Sequence, residues 1–250
     1  MDTIICGDAL EELKKIKAGS VDLIITSPPY NYGMDYDETD DDIDWGAYFE
    51  WLNSIWVECV RVLKKGGRMC VVIQPNWRVY QPTHHMITRQ LTDLGLLWKG
   101  EILWEKHNYN CKYTAWGSWK SPSNPYLKYT WEFIEVFCKG VMKKEGMVEN
   151  IDITPDEFKT WTTAKWEIGP ESRMQFFEHP AMFPEEIPRR LIKLFSFKND
   201  LILDPFNGVG TTTKMAWKLG RHYIGIDISE KYCNRSQQRL FEAKGAWNWF

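Results

Sequence analysis

Short runs that are almost wholly apolar alternate with longer stretches in which apolar residues recur every three or four positions. The runs are "TIICGDA", "VDLIIT", "RMCVVIQ", "LWKGEILWEK", "WEFIEVFCK", "DLILDPF" and "HYIGIDI". Runs of this length bounded by turn residues predict strands, and the continuous apolar ones predict strands covered on both faces. Between them, Leu10, Leu13 and Ile16 fall at helical spacing, and Tyr48, Leu52, Ile55, Cys59 and Leu63 mark one face of a second helix. "KKGG" predicts a glycine cap after it. "THHMITRQLTDLG" predicts a helix closed by Gly95, with His84 and His85 on its surface. "PEEIPRRLIKLFS", a segment from Thr211, and one capped by Ser229 and running to about Lys244 predict three more helices. Strands alternating with helices mean an α/β fold with a largely parallel sheet. Residues 35–44 hold seven acids and predict a solvated loop, while residues 139–178 show little periodicity.

Composition narrows the class. A chain of 250 residues, 44% hydrophobic, is long enough for one large α/β domain. No apolar run approaches the ~20 residues of a membrane span, and the first residues carry no signal-peptide pattern. The six cysteines are dispersed without a C-x-x-C pair, which predicts reduced thiols and neither a disulfide frame nor a metal site. The net charge of −3 gives no overall basic field. Fourteen tryptophans is an unusual number for one chain, and seven of them lie between 98 and 166.

Two turns carry chemistry. "LILDPFNGVGTTTKMAWKLG" is a buried strand, a tight Gly208-Val209-Gly210 turn and a helix start. Absent side chains let a ligand approach the backbone, and a helix start favours an anionic group. Nineteen residues after Gly208, Asp227 ends the next strand, where an acid can accept from both ribose hydroxyls. Thr213 stands where a dinucleotide fingerprint needs its third glycine, and no Gly-Lys-Ser/Thr follows, so a pyrophosphate loop and a P-loop are disfavoured. A simple α/β turn is the alternative; with Asp204 and Asp227 added, a nucleoside carrying modest negative charge is favoured. The other turn is Ser27-Pro28-Pro29-Tyr30 at the end of "VDLIIT". Its prolines fix φ and supply no N–H. What remains is rich in acceptors and suits a ligand that donates two hydrogens, an amino group. Tyr30 adds a planar face for a base, or else packs in the core.

"TSPPY" followed far downstream by "DPFNGVGTT" resembles the S-adenosylmethionine-dependent amino-methyltransferases of DNA, in the permuted β-group order with the catalytic turn first. "GDALEEL", "RVLKKGG", "WEFIEVFCK", "HPAMFPEEIPRRLI" and "GRHYIGIDISEKY" extend the resemblance over nearly the whole chain apart from about 35–44 and 139–178. The resemblance implies a Rossmann-like fold with a seven-stranded, mostly parallel sheet, one edge strand reversed, and "TIICGDA" beside "YIGID". It implies that Ser27, Pro28, Pro29 and Tyr30 form the catalytic turn. Asp204, Phe206, Gly208 and Gly210 would line the methionine part of S-adenosyl-L-methionine, with Thr211 and Thr212 opening the adjoining helix. Asp227 would hold the ribose, Ile228 would flank the adenine, Asp8 would accept from the adenine amino group, and His179 to Pro184, including Phe183, would close over the methionine end. Serine at 27 resembles the cytosine-N4 members, whereas adenine-N6 members more often carry Asp or Asn there.

Residues 106–131 interleave Lys106, Lys112, Lys120 and Lys128 with Tyr109, Tyr113, Trp116, Trp119, Tyr126, Tyr129 and Trp131. This predicts a DNA-contacting loop through Lys106, Lys112, Trp116, Trp119 and Lys120, because lysines neutralise phosphates and aromatics stack on bases. Residues 139–178 are the candidate target-recognition insertion in an otherwise single methyltransferase domain. The expected partners are double-stranded DNA, a second copy of the chain and a cognate restriction endonuclease, in the cytoplasm of a prokaryote or from a phage. The competing readings are adenine-N6 methylation, methylation of RNA or a protein amide, and a non-catalytic nucleic-acid-binding module.

Overall fold

The computed structural model describes residues 2–34, 36–38, 41–75, 80–107, 117–127 and 129–247. Among these residues eight strands form one sheet: β1 (Thr3–Cys6), β2 (Val21–Thr26), β3 (Leu63–Ile73), β4 (Leu96–Glu105), β5 (Trp131–Lys139), β6 (Lys165–Glu167), β7 (Leu201–Asp204) and β8 (His222–Asp227). Their order is β1-β8-β7-β2-β3-β5-β4-β6. The helices are α1 (Ala9–Lys15), α2 (Trp45–Val62), α3 (Thr83–Asp93), α4 (Pro155–Trp161), α5 (Met174–Phe177), α6 (Glu186–Phe195), α7 (Thr211–Lys218) and α8 (Glu230–Trp247).

Period-two alternation explains why the central strands are apolar throughout. Ile24 of β2 and Met69, Val71 and Ile73 of β3 pack with Leu13, Tyr48, Leu52, Ile55 and Ile87, from α1, α2 and α3. Leu23 and Ile25, with Cys70 and Val72, face the other way, onto Ile187, Leu191, Met215 and Leu240 from α6, α7 and α8. Each strand therefore has two buried faces, as a parallel sheet between helical layers requires. A buried acid, Asp22, holds the start of the sheet: it accepts from Lys64 Nζ (2.7 Å), Lys144 Nζ (2.9 Å) and the Leu201 amide (3.0 Å). The expected neighbours β1 and β8 do pair, in parallel, with Cys6 beside Asp227.

Several details differ from the sequence expectation. The one reversed strand is β5, and it lies inside the sheet between β3 and β4 instead of at an edge. The eighth strand, β6, comes from the segment with little periodicity; three residues are too few to show a repeat. That segment is tied into the domain, since Trp161 and Trp166 are buried in the second core and Trp104 Nε1 donates to Ile168 O (2.7 Å). No glycine caps α2: Leu63 turns straight into β3, and Gly66 serves a bend inside that strand. His84 is buried, its ring stacked on Phe133 at 4.4 Å, and burial lowers its pKa to about 4. Only His85 of that pair is exposed.

Candidate active site

The carboxyl ends of β1, β2, β7 and β8 open on the same edge, the place where α/β sheets hold ligands. The β2–β7 register sets Ile24 beside Leu203, so the Ser27 turn and Asp204 leave the sheet as neighbours. Together with the 179–183 loop these ends line a cavity of about 740 Å³. Asp8, Ser27, Pro28, Pro29, Tyr30, Lys106, Phe183, Asp204, Phe206, Gly208, Thr211, Asp227 and Ile228 all line it. Residues as far apart in the chain as Asp8 and Ile228 thus share one chamber.

The glycine loop is built for close approach. Gly208 has φ +50°, and a Cβ there would sit 2.9 Å from His179 Nε2. Gly210 has φ +81°, and a Cβ there would sit 2.1 Å from Ser236 Oγ, so it lies behind the cavity wall and turns the chain into α7. Thr213 accounts for the absent third glycine: its hydroxyl donates to Asn207 Oδ1 (2.9 Å), while Asn207 Nδ2 donates to Ser236 Oγ (3.0 Å). Asp227 accepts from the Gly208 amide (2.7 Å) and the Ser229 amide (3.0 Å), one on each oxygen. Each oxygen keeps acceptor capacity for a further donor. Asp8 caps α1 by accepting from the Glu11 amide (3.0 Å).

Asp204 is 2% exposed and accepts from the Phe206 amide (3.1 Å). Burial raises its pKa to about 6, against the lowering effect of the Thr212 and Thr26 hydroxyls and the Phe206 amide. Thr212 is fully buried, near enough to this carboxyl to lower its pKa, and does not line the cavity. His179 is held neutral, its pKa lowered by burial to about 4, with Nδ1 accepting from the Ala181 amide (3.2 Å).

The Ser27-Pro28-Pro29-Tyr30 turn and the residues after it are anchored by two tyrosines. Tyr48 donates to Pro29 O (2.6 Å), and Tyr32 donates to Pro75 O (2.7 Å). Ser27 Oγ donates to Tyr30 Oη (3.0 Å). Among the described acids after the turn, Asp37, Glu38, Asp42 and Asp44 are exposed, as a solvated loop predicts, but Asp41 is not. Asp41 is buried and accepts from the amides of Asn31 (2.8 Å), Tyr32 (3.0 Å) and Met34 (3.1 Å). Asp37 accepts from Ser229 Oγ (2.6 Å), and Asp44 caps α2. The described part of the segment straps one wall of the cavity, with Asp41 and Asp44 turned toward backbone donors and Glu38 and Asp42 exposed.

Lys106 occupies a different place from the one expected of a phosphate contact. Its ammonium is paired with Glu132 inside the cavity and lies 4.7 Å from the centre of the Trp104 ring. Trp119 is exposed, with Lys120 Nζ 5.6 Å from its ring centre, on a loop closed by the Gly117–Pro125 bridge. Lys112 and Trp116, like Tyr109, Tyr113 and Lys128, lie outside the described residues. Sequence reasoning missed Glu132, Asp41 and Asp37. A single acid in a buried apolar strand, as in "WEFIEVFCK", was the available signal for Glu132. Among the described residues no group of three His, Cys, Asp or Glu side chains could hold a metal ion, and no helix is long and apolar enough to cross a membrane.

A sequence model of a DNA methylase family matches residues 21–238, both chemical turns included. The chain belongs to the DNA methylase family. Among the family's relatives, type II methyltransferase M.MjaI of Methanocaldococcus jannaschii is 32% identical, with 91% of this chain and 87% of that protein covered. The DNA adenine methyltransferase YhdJ of Escherichia coli is 30% identical, over 95% and 82%. A DNA modification methylase of Thermus thermophilus, TTHA0409, solved complexed with S-adenosyl-L-methionine, superposes with a TM-score of 0.77 at 25% identity, over 97% of this chain and 94% of that one. The cytosine-N4-specific PvuII DNA methyltransferase gives 0.70 at 17%, over 99% and 92%, and shares the fold. The fold of the family member described here is thus the α/β methyltransferase fold.

Proposed function

We propose that this DNA methylase transfers a methyl group from S-adenosyl-L-methionine to the exocyclic N4 amine of cytosine in a base flipped out of double-stranded DNA. The observation that carries the reading is the shared cavity, which opposes the Ser27 turn to the glycine loop and its two acids. The residues present fit the cofactor. A wall holding Asp8, Asp37, Asp204 and Asp227 suits a cationic ligand, the spare acceptor sites of Asp227 suit a ribose diol, and the bare backbone at Gly208 leaves space that a Cβ would fill. Asp204 with Phe206, Thr211 and Phe183 would hold the methionine part, and Asp8 and Ile228 the adenine. When bound, the cofactor supplies an electrophilic methyl on a sulfonium sulfur.

The chain's own residues orient and polarise the amine. Ser27 gives its proton to Tyr30 and keeps both oxygen lone pairs for an incoming N–H. The Pro28 carbonyl is the second acceptor, and two acceptors favour a pyramidal nitrogen whose lone pair faces the methyl group. Transfer then rests on positioning and fixed dipoles. The base must leave the duplex to enter the chamber, and the Tyr30 ring is its platform. The exposed Trp119–Lys120 loop supplies contacts to the DNA. Adenine N6 is the second reading, favoured by the likeness to the E. coli adenine methyltransferase.

The test is mass spectrometry of nucleosides from treated DNA. N4-methylcytosine is the expected product. Finding N6-methyladenine alone would replace the cytosine assignment, and finding no methylated base would overturn the reading.

A further inference from the structure

Glu132 is a buried carboxylate, 7% exposed, on the wall of the cavity, and the mechanism above leaves it without a role. Its Oε1 is paired with Lys106, and its Oε2 lies 3.1 Å from Tyr30 Oη. Tyr30 Oη is also 3.2 Å from Val72 O and 3.0 Å from Ser27 Oγ. The direction of these bonds is fixed by chemistry. A phenol has one proton, and both Val72 O and an ionised carboxylate are acceptors only. Whichever of them takes the phenolic proton, Tyr30 can meet Ser27 only as an acceptor, so Ser27 is the donor. Between the two acceptors, the charged one makes the stronger bond.

We propose that Ser27, Tyr30 and Glu132 form a proton relay, with Glu132 acting as a positioning residue that makes the neutral Ser27 hydroxyl a strong acceptor. The proposal rests on the amine-methylation reading. Hydrogen bonds in a chain polarise one another, so a carboxylate two hydroxyls away raises electron density on Ser27 Oγ without placing a charge against the base. Lys106 pairs with that carboxylate in a buried place, where an unpaired charge would be costly. The step balances. The amine nitrogen bonds to the methyl group as the methyl–sulfur bond breaks, and that bond's electron pair stays on sulfur. The nitrogen loses one proton to Ser27 Oγ, Ser27 passes its own to Tyr30 Oη, and Tyr30 passes its own to Glu132 Oε2. The proton released by each turnover ends on Glu132 and returns to solvent when the products leave.

The experiment measures single-turnover methyl transfer by the full-length protein, in excess over unmethylated DNA, with methyl-labelled S-adenosyl-L-methionine. Tyr30→Phe removes the bridging oxygen and keeps both the ring and the Glu132–Lys106 pair. Glu132→Gln keeps an acceptor and removes the charge. Each is expected to slow transfer by about 10²-fold, with cofactor affinity by calorimetry and DNA affinity unchanged. The double variant is expected to be no slower than the slower single one, because both cut the same chain. The solvent deuterium isotope effect of the wild type is expected to shrink in Tyr30→Phe. If Glu132→Gln fails to fold because Lys106 is left unpaired, Tyr30→Phe decides alone. A wild-type rate in Tyr30→Phe, rate losses that multiply in the double variant, or loss of cofactor or DNA binding in place of rate would each overturn the relay. Absence of transfer by the wild type to any base amine would overturn the functional reading, and the relay would fall with it.

Discussion

Asp204→Asn is expected to stabilise the free protein and to weaken its hold on the cofactor. The carboxyl of Asp204 is 2% exposed, and burial raises its pKa from the ordinary 3.8 to about 6. The folded state therefore binds this proton more tightly than the unfolded chain does. The stability tied to the protonated form is complete below 3.8 and is lost as pH rises through about 6. Over that gap the loss is about 3 kcal/mol, at 1.36 kcal/mol for each tenfold step. Asparagine is neutral and nearly isosteric. Its oxygen can still accept from the Phe206 amide, and its NH₂ can face the Thr212 and Thr26 hydroxyls. Urea unfolding at pH 7.5 is expected to show the variant more stable by about 1–3 kcal/mol, which is roughly 2–10 °C in Tm for a chain of this size. The advantage should shrink to about half by pH 5. Calorimetry with S-adenosyl-L-methionine should show the opposite sign, an affinity lower by roughly 10–100-fold, as expected when a charge-assisted hydrogen bond is lost. A variant less stable than the wild type at pH 7.5, or a stability difference independent of pH, would refute this account of Asp204.

Three other substitutions probe different features. Gly210→Ala forces a Cβ to within 2.1 Å of Ser236 Oγ at φ +81°, and urea titration should show a loss of about 2–4 kcal/mol from strain and overpacking, part of it recovered by adding Ser236→Gly. Asp41→Ala leaves the amides of Asn31, Tyr32 and Met34 without their acceptor; hydrogen exchange should accelerate at those three amides while the core strands keep their protection, and unchanged exchange would show that the strap is held by other contacts. Lys120→Ala should weaken DNA binding and lower the slope of log affinity against log salt by about 0.9, measured by fluorescence anisotropy, whereas an unchanged slope would remove Lys120 from the DNA surface.

The parts of the site that are local in sequence were legible. Gly208, Gly210 and Asp227 declare themselves because a turn, a helix start and a strand end within twenty residues must meet in a βαβ unit. The Ser27 turn is likewise contained in four residues. What escaped depends on pairing across distance. Glu132 reaches Tyr30 only because β5 runs antiparallel to β3 and sets Ile73 beside Phe133. Lys106 looked like a surface cation because its partner lies 26 residues away, across the β4–β5 hairpin. The acids at 37, 41 and 44 carry the composition of a solvated loop, and composition does not reveal that three backbone amides converge on Asp41. Residues 139–178 looked like a removable insertion because β6 is too short to show a period, yet Trp161 and Trp166 fix it in the core.

The sheet order also sets a timetable. Of the described strands β1 is synthesised first, and its partner in the sheet is β8, more than 200 residues later. At ~5–20 residues per second, the nascent chain carries β1 unpaired for on the order of ten seconds or more. β2 waits nearly as long for β7, the neighbour that brings Asp204 beside the Ser27 turn. Neither half of the cavity exists without the other, so the cavity closes only after β7 and β8 have emerged. Contacts of this range are slow to form and leave strand edges exposed while they are awaited. For this chain, an order that puts the Ser27 turn after β2 and the glycine loop after β7 makes the growing protein most dependent on protection of those edges just before β7 and β8 emerge.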